Sequence, residues 1–281
     1  MTDLQAATTQ SPPRWSLPNS LFPSVGRRLT LGLGLIGIGK PWGHTNDSVP
    51  DEASVRQLLE TAFSLGIRYF DTAPSYGVSE QRFSSFLCSL TPTQRASLTI
   101  ATKFGEHWDA AGQQPFVDHS YDALFRSLDE SLQRLGKIDI LQLHKTTAAA
   151  LRSSDLQRAF RHAQSLGIRN LGTSVSDLES TAVAFDLQSL SVLQLPLNPS
   201  SRQFHEVVRQ ATDAGILVVT NRPFAMGSLL YAEQPITKHA AFNFLNRSAF
   251  DGVVLTGTKS AEHLHENWTA FHQAVLCEPT L

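Results

Sequence analysis

Eight short runs rich in Ile, Val and Leu recur along the chain: TLGLGLIG (30–37), IRYF (67–70), LTIATK (98–103), IDILQL (138–143), IRNLGTS (168–174), LSVLQL (190–195), ILVVT (216–220) and GVVLT (252–256). Between them the period changes to that of an amphipathic helix. Val55, Leu58, Leu59 and Ala62 fall at i, i+3, i+4 and i+7, Leu124, Leu128, Leu132 and Leu135 follow at closely similar spacing, and Leu264, Trp268, Phe271 and Val275 form a third stripe. SLGIR occurs at 64–68 and 165–169, and DAGIL at 213–217 resembles it, so a glycine stands three times where a helix gives way to a strand. Strands and helices in alternation predict a parallel sheet built from βα units.

Eight such units in 281 residues fit a closed (β/α)8 TIM barrel, an α/β single domain. GLGLIGIG at 32–39 raises the alternative of a doubly wound sheet. Its glycines, however, lie inside the first strand-like run, and no acidic residue ends a second strand in a GxGxxG frame. Residues 1–25 read as a polar N-terminal arm and 26–281 as the barrel catalytic domain.

Composition narrows the partners. With 41% hydrophobic residues, a formal net charge of -2 and no block of Lys or Arg, the chain is expected to take small molecules, with no nucleic acid and no membrane surface. Cys88 and Cys277 form no CxxC or Cys/His spacing, which predicts neither a disulfide framework nor a metal site. That usage suits a reducing, cytoplasmic location; the N-terminus carries neither the basic start nor the apolar run of a signal peptide.

In a barrel of this kind chemistry belongs at the C-terminal ends of the strands. Asp71 follows the second run, with Tyr76 in the next loop; Lys103 ends the third, His144 the fourth, Ser174 the fifth, and Gln194 lies at the end of the sixth. Singly, each has a bland role: a turn acid before Pro74, a loop aromatic, a rim lysine, a core histidine. Together, an acid, a lysine, a histidine and a phenol on successive strand ends are expected to converge. A phenol is a poor acid at neutral pH, and an ammonium about 4 Å away would stabilise its anion by on the order of 4 kcal/mol, roughly three pKa units. Asp71 would offset part of that by pairing with Lys103, and would fix the lysine and keep it charged, while His144 would donate a hydrogen bond to an oxygen at the same point. The set reads as a proton donor aimed at a carbonyl.

These residues resemble the aldo-keto reductase family. The matching stretches are GIRYFDTAPSYGVSE (66–80), ATKFG (101–105), IDILQLH (138–144), LGTS (171–174), QLPLN (194–198) and GTKSAEHLHEN (257–267), in family order over most of residues 30–275. The resemblance implies a barrel that binds NADPH, with NADH as the other possibility, and reduces aldehydes or ketones by hydride transfer. It puts the general acid on Tyr76, its tuning on Lys103 and Asp71, and substrate orientation on His144. Ser174 and Gln194 match positions that hold the nicotinamide carboxamide. Gly257, Thr258, Lys259 and His263 would face the adenosine phosphate, and Glu266 and Asn267 the adenine. The helix that begins near Ser260 supports this independently, since helix N-termini favour anions.

The chain departs from the family pattern at three places. Val175 stands where an asparagine usually follows the serine, which implies one lost amide contact to nicotinamide. Asn221 replaces an aromatic that stacks on that ring in many members, and Arg222 beside it would face a phosphate. His263 replaces an arginine, leaving Lys259 as the cationic partner for a 2′-phosphate. Trp42 and Trp108 are candidates to line an open substrate pocket for a small-molecule carbonyl. Two other readings use the same residues: a non-catalytic NADPH-binding redox sensor, and a Schiff-base lyase with Lys103 as nucleophile.

Overall fold

The eight apolar runs become eight parallel strands that close into a barrel in a computed structural model, which describes residues 11–23, 29–43 and 48–276. The barrel strands are β1 (Leu29–Gly34), β2 (Tyr69–Asp71), β3 (Thr99–Phe104), β6 (Ile140–Leu143), β7 (Asn170–Ser174), β8 (Val192–Pro196), β9 (Leu217–Asn221) and β10 (Gly252–Gly257). Neighbours follow chain order around the ring, and β1 closes it by pairing with β10 from Leu29↔Gly252 to Gly34↔Gly257. Helices on the outside return the chain between strands. The stripe Val55, Leu58, Leu59 and Ala62 is the buried face of the helix Glu52–Ser64, and Leu124, Leu128 and Leu135 are buried on Tyr121–Leu135. The repeated turn is one structure used three times: Gly66, Gly167 and Gly215 have φ of 83°, 87° and 73°, a left-handed backbone that only glycine adopts without strain.

One element goes beyond the predicted pattern. After β3 the chain forms a hairpin of β4 (Glu106–Asp109) and β5 (Gln114–Val117), antiparallel with Glu106↔Val117 and Asp109↔Gln114 in register. The stretch contains Pro115 and mostly polar residues, so no apolar alternation announces it.

Strand parity separates two layers inside the barrel. Tyr69, Ala101, Ile140 and Val192 share one apolar cluster with Leu217, Val219, Val253 and Leu255. Side chains two residues further along a strand point the same way, so the next layer on β2, β3, β6 and β8 is Asp71, Lys103, Gln142 and Gln194. All four are buried. A packed apolar layer thus gives way to a polar one within a single step of the pleat.

The far end of the barrel is covered by residues of the N-terminal arm. Leu21 and Phe22 are buried in the inner apolar cluster, with Trp15 and Leu17 packed against them. Backbone hydrogen bonds tie this segment to the strand starts: Ser11 N–H to Asp213 O at 3.0 Å and Arg14 N–H to Gly215 O at 2.7 Å. Asn170 at the head of β7 receives the Ser16 N–H on Oδ1 at 2.8 Å. Arm residues 1–10 and 24–25 lie outside the described residues. Among the described residues no helix is long and apolar enough to cross a membrane.

If Phe22 plugs the barrel floor, Phe22→Ala removes a buried aromatic at a cost of about 3 kcal/mol. The melting temperature should fall by on the order of 10 °C while the far, polar end of the barrel keeps its ligand affinity. A thermal unfolding curve with ligand titration checks both.

Candidate active site

Lys103 is the last residue but one of β3, its ammonium inside protein, 1% exposed, and each of its three N–H groups meets an acceptor. It pairs with Asp71 Oδ1, donates to Thr72 O at 3.1 Å and to Tyr76 Oη at 3.3 Å. Asp71 is saturated in turn, since Gln142 Nε2 and Gln194 Nε2 donate to its Oδ2 at 3.3 and 3.2 Å. Burial pulls the lysine pKa down, but Asp71, and Tyr76 after it, outweigh burial, and the pKa ends above the usual lysine value.

The loop that carries Tyr76 is stitched at both ends. Thr72 Oγ1 and Ser79 Oγ lie 3.0 Å apart, and Ser79 Oγ donates to Leu35 O at 3.0 Å. Gly39 lets the loop lie directly on the helical turn Ile36–Gly39: a Cβ there would sit 1.8 Å from Tyr76 O. Behind the loop, buried Glu80 accepts from Thr102 Oγ1, Ser131 Oγ and Arg134 Nη1 at 2.7, 2.9 and 3.0 Å, tying the next helix to β3 and to Tyr121–Leu135.

The phenol differs from the sequence-based expectation. Lys103 does pull the Tyr76 pKa down, but desolvation pushes it up by more and Asp71 adds to the rise, so it lies above the ordinary 10.0. The expected drop weighed the charges of Lys103 and Asp71 and omitted the desolvation of the phenol itself. Tyr76 therefore keeps its proton through the neutral range.

His144 stands edge-on to Tyr76, ring centroids 5.7 Å apart. Its Nδ1 lies 3.0 Å from Glu106 Oε2 and 3.3 Å from Ser75 Oγ, and Ser75 Oγ donates to the same carboxylate oxygen at 2.7 Å. Burial, with Lys103, Lys145 and Lys40 around it, holds the imidazole pKa well below the usual value, so the ring is neutral at neutral pH. Glu106, Ser75, Gln142 and Lys40 had no place in the reading of the sequence. Gln142, in the LQLH run, carries the one signal that parity offers: a polar side chain pointing into a barrel.

A cavity of about 950 Å³ opens above these groups. Asp71, Tyr76, His144, Ser174, Gln194, Arg222, Gly257, Thr258, Lys259, His263, Glu266, Asn267 and Trp42 all line it. Lys103 lies beneath it, and Trp108 is not among its lining residues; Trp108 instead faces Lys40, whose Nζ is 5.4 Å from its ring centroid. Val175 is packed in the core. Arg222 has a φ of 56° and its carbonyl is held by Asn198 Nδ2 at 3.0 Å. Glu266 is bound by Lys238 Nζ at 2.5 Å, which lowers its pKa.

The polar lining around Asn221 and from Gly257 to Asn267 fits a dinucleotide. Ser260 accepts the His263 N–H on Oγ at 3.3 Å and so caps the helix Ala261–Leu276, whose first turn follows Gly257, Thr258 and Lys259. Asn221 Oδ1 and Asn267 Oδ1 are buried acceptors without a protein donor among the described residues, and both residues line the cavity. Such atoms match the amide and amino N–H groups of a nicotinamide and an adenine. Among the described residues no cluster of His, Cys, Asp and Glu is arranged to hold a metal ion.

The chain is 34% identical over 119 residues to an L-galactose dehydrogenase of Arabidopsis thaliana, covering 41% of this chain and 35% of that protein. It is 32% identical over 183 residues to a D-threo-aldose 1-dehydrogenase of a Pseudomonas species, covering 54% of this chain and 52% of that one. The chain thus spans about a third to a half of the length of these curated relatives. The holo form of an aldo-keto reductase from Bacillus halodurans shares the fold, with a TM-score of 0.70 at 21% identity over 88% of this chain and 91% of that one. The family model of the Aldo/keto reductase family matches residues 30–243, and the chain belongs to that family.

Proposed function

We propose that this chain is a carbonyl reductase in which Tyr76 gives its proton to the oxygen of an aldehyde or ketone. The observation that carries this reading is the direction of one hydrogen bond. Lys103 Nζ donates to Tyr76 Oη, which leaves the phenol's own proton for a group in the cavity. The raised phenol pKa keeps that proton available at neutral pH, and the ammonium beside it stabilises the negative charge that grows on Oη as the proton leaves. Asp71 keeps Lys103 charged and in place.

NADPH, or NADH in its stead, supplies the hydride when bound. Ser174 and Gln194 are proposed to hold its nicotinamide end, with Asn221 beside them. Gly257, Thr258, Lys259, His263 and Arg222 are proposed for the phosphates, and Glu266 and Asn267 for the adenine. Trp42 at the cavity rim would contact a small carbonyl substrate. The relatives' names specify L-galactose and D-threo-aldose, which supports a hydroxylated substrate. Cys88 is an exposed free thiol, which suits a cytoplasmic enzyme; Cys277 lies outside the described residues. The Schiff-base lyase fits less well, because a nucleophilic lysine must be a free amine and Asp71 holds Lys103 as an ammonium.

Three outcomes are expected. Tyr76→Phe should lower the rate of NADPH oxidation with aldehydes by about 10²–10⁴-fold while NADPH still binds, as steady-state kinetics beside a binding titration would show. Tight NADPH binding with no turnover of any carbonyl by the intact protein would favour the redox sensor instead. Because the phenol pKa is raised and the imidazole pKa lowered, kcat for reduction should stay level from about pH 6 to about pH 9 and fall only above about 10, where the phenol loses its proton. Finally, Lys259→Met should weaken NADPH by about tenfold and leave NADH nearly unchanged, since only the former carries the extra phosphate.

A further inference from the structure

Lys40 follows the helical turn Ile36–Gly39, and the Tyr76 loop holds its backbone in place. Val78 N–H donates to Gly39 O at 3.3 Å, Lys40 N–H donates to Ile36 O at 3.2 Å, and a Cβ on Gly77 would sit 3.6 Å from Lys40 Cβ. The side chain runs along the cavity wall, half-buried, and Nζ donates to the carbonyl of Ser75, the neighbour of Tyr76, at 2.9 Å. Nζ stands 5.7 Å from the centre of the Tyr76 ring and 5.4 Å from that of Trp108. Such rings attract a cation without neutralising it. Other lysines of the site face carboxylates: Lys103 pairs with Asp71, Lys238 with Glu266, and Lys145 lies 3.5 Å from Glu106. The hydrogen-bond acceptor of Lys40 Nζ is a neutral carbonyl, and no carboxylate among the described residues lies within ion-pair distance of it. Glu106 is the acid on this side, and its oxygens are taken by Ser75, His144 and Lys145. With Lys103 balanced by Asp71 and Lys145 by Glu106, the cavity wall beside Tyr76 keeps the charge of Lys40 in excess. The Ser75 carbonyl occupies only part of what an ammonium can donate.

We propose that Lys40 is a specificity-determining residue that receives a carboxylate carried by the carbonyl substrate, so that aldehyde acids and keto acids are preferred over their neutral counterparts. This rests on the assignment of Tyr76 as the proton donor, which brings the substrate carbonyl to the residue beside Ser75. A carboxylate matches what the wall offers, a single surplus charge and unused N–H groups on one ammonium. A phosphate monoester carries about two negative charges, and the second would stand against Glu106. A neutral substrate leaves the ammonium with its charge unmatched in a half-buried place, and that difference is the source of the preference.

Wild type should reduce succinic semialdehyde with a kcat/KM about tenfold above that for its methyl ester, through KM more than kcat. Lys40→Gln, whose amide can still donate to Ser75 O, should bring that ratio close to unity, and Lys40→Arg should restore it. A lysine that only braced the Tyr76 loop would leave the ratio where it was. Glyceraldehyde 3-phosphate should gain less over glyceraldehyde than the acid gains over its ester. The same contact is read without turnover by titrating γ-hydroxybutyrate and butanediol into protein without cofactor and following tryptophan fluorescence. The acid should bind wild type about tenfold more tightly than the diol, and Lys40→Gln should bind the two alike. A ratio that survives Lys40→Gln unchanged, equal binding of acid and diol to wild type, or a larger gain from phosphate than from carboxylate would overturn the proposal. Absence of turnover with every one of these aldehydes would count against the reductase, and the titration would still decide whether Lys40 takes a carboxylate.

Discussion

The buried pair of Lys103 and Asp71 is the constraint on which the rest of the barrel mouth depends. An ammonium removed from water costs several kcal/mol unless its charge and its hydrogen-bonding capacity are both met. Here both are met by neighbouring strands. Asp71 comes from β2, two residues past Tyr69, and the glutamines that satisfy its second oxygen come from β6 and β8, each two residues past an apolar partner in the layer below. Strand register therefore sets the position of the charge, and shifting any of these strands by one residue would turn the polar side chain outward into the helices. Removing one member of such a pair leaves the other buried and uncompensated, typically at a cost of about 3–5 kcal/mol, so the site and the stability of this end of the barrel are linked.

The same low-dielectric setting decides the state of Lys103, Tyr76 and His144. Lys103 stays charged because its anion is in contact; Tyr76 stays neutral because desolvation outweighs the lysine; His144 stays neutral because burial disfavours its charge and cations stand on several sides. Lys40, half-buried, donates to Ser75 O at 2.9 Å and has its pKa lowered by burial, with Glu106 partly restoring it. Ser75 thereby joins two parts of the site, because its carbonyl holds Lys40 and its hydroxyl holds Glu106. One serine in the Tyr76 loop couples the hairpin carboxylate, the histidine and the rim lysine.

Much of this was legible in the sequence, for a physical reason. Parallel strands buried in a barrel leave long apolar runs, so all eight were visible, and of the residues that break those runs at their C-terminal ends Asp71, His144, Ser174 and Gln194 line the cavity, with Lys103 beneath it. Gln142 also breaks a run, and parity with Ile140 marks it as pointing inward, but its work is to satisfy Asp71, and that partner is set by register and not by spacing along the chain. Glu106 and Lys40 were invisible because their positions come from a hairpin of polar residues and a short turn, where no periodicity relates sequence to direction. The Tyr76 pKa went astray for a different reason. Spacing tells which charge approaches the phenol, whereas the net shift depends on how much water that approach excludes.

The two halves of the cavity are built on different principles, and that difference bears on where the chain departs from its family. The half that holds Asp71 and His144, above Lys103, stands on strand ends held by ladder hydrogen bonds and a saturated ion pair. The other half lies largely in the segments after β9 and β10, where Arg222, Ala225 and Met226 all have positive φ without being glycine. Each such residue carries strain of about 1–3 kcal/mol unless its surroundings impose the conformation, and at Arg222 the side chain of Asn198 does so through the carbonyl. Substitutions in this half change contacts without moving the strand register. Val175 shows the limit of that freedom: it sits one residue beyond β7, still bonded through its N–H to Gln194 O at 2.9 Å, and turns into the core instead of the cavity. The chain can thus lose a side-chain amide at this position and keep the backbone that presents Ser174 and Gln194, because those two are in register with each other across β7 and β8.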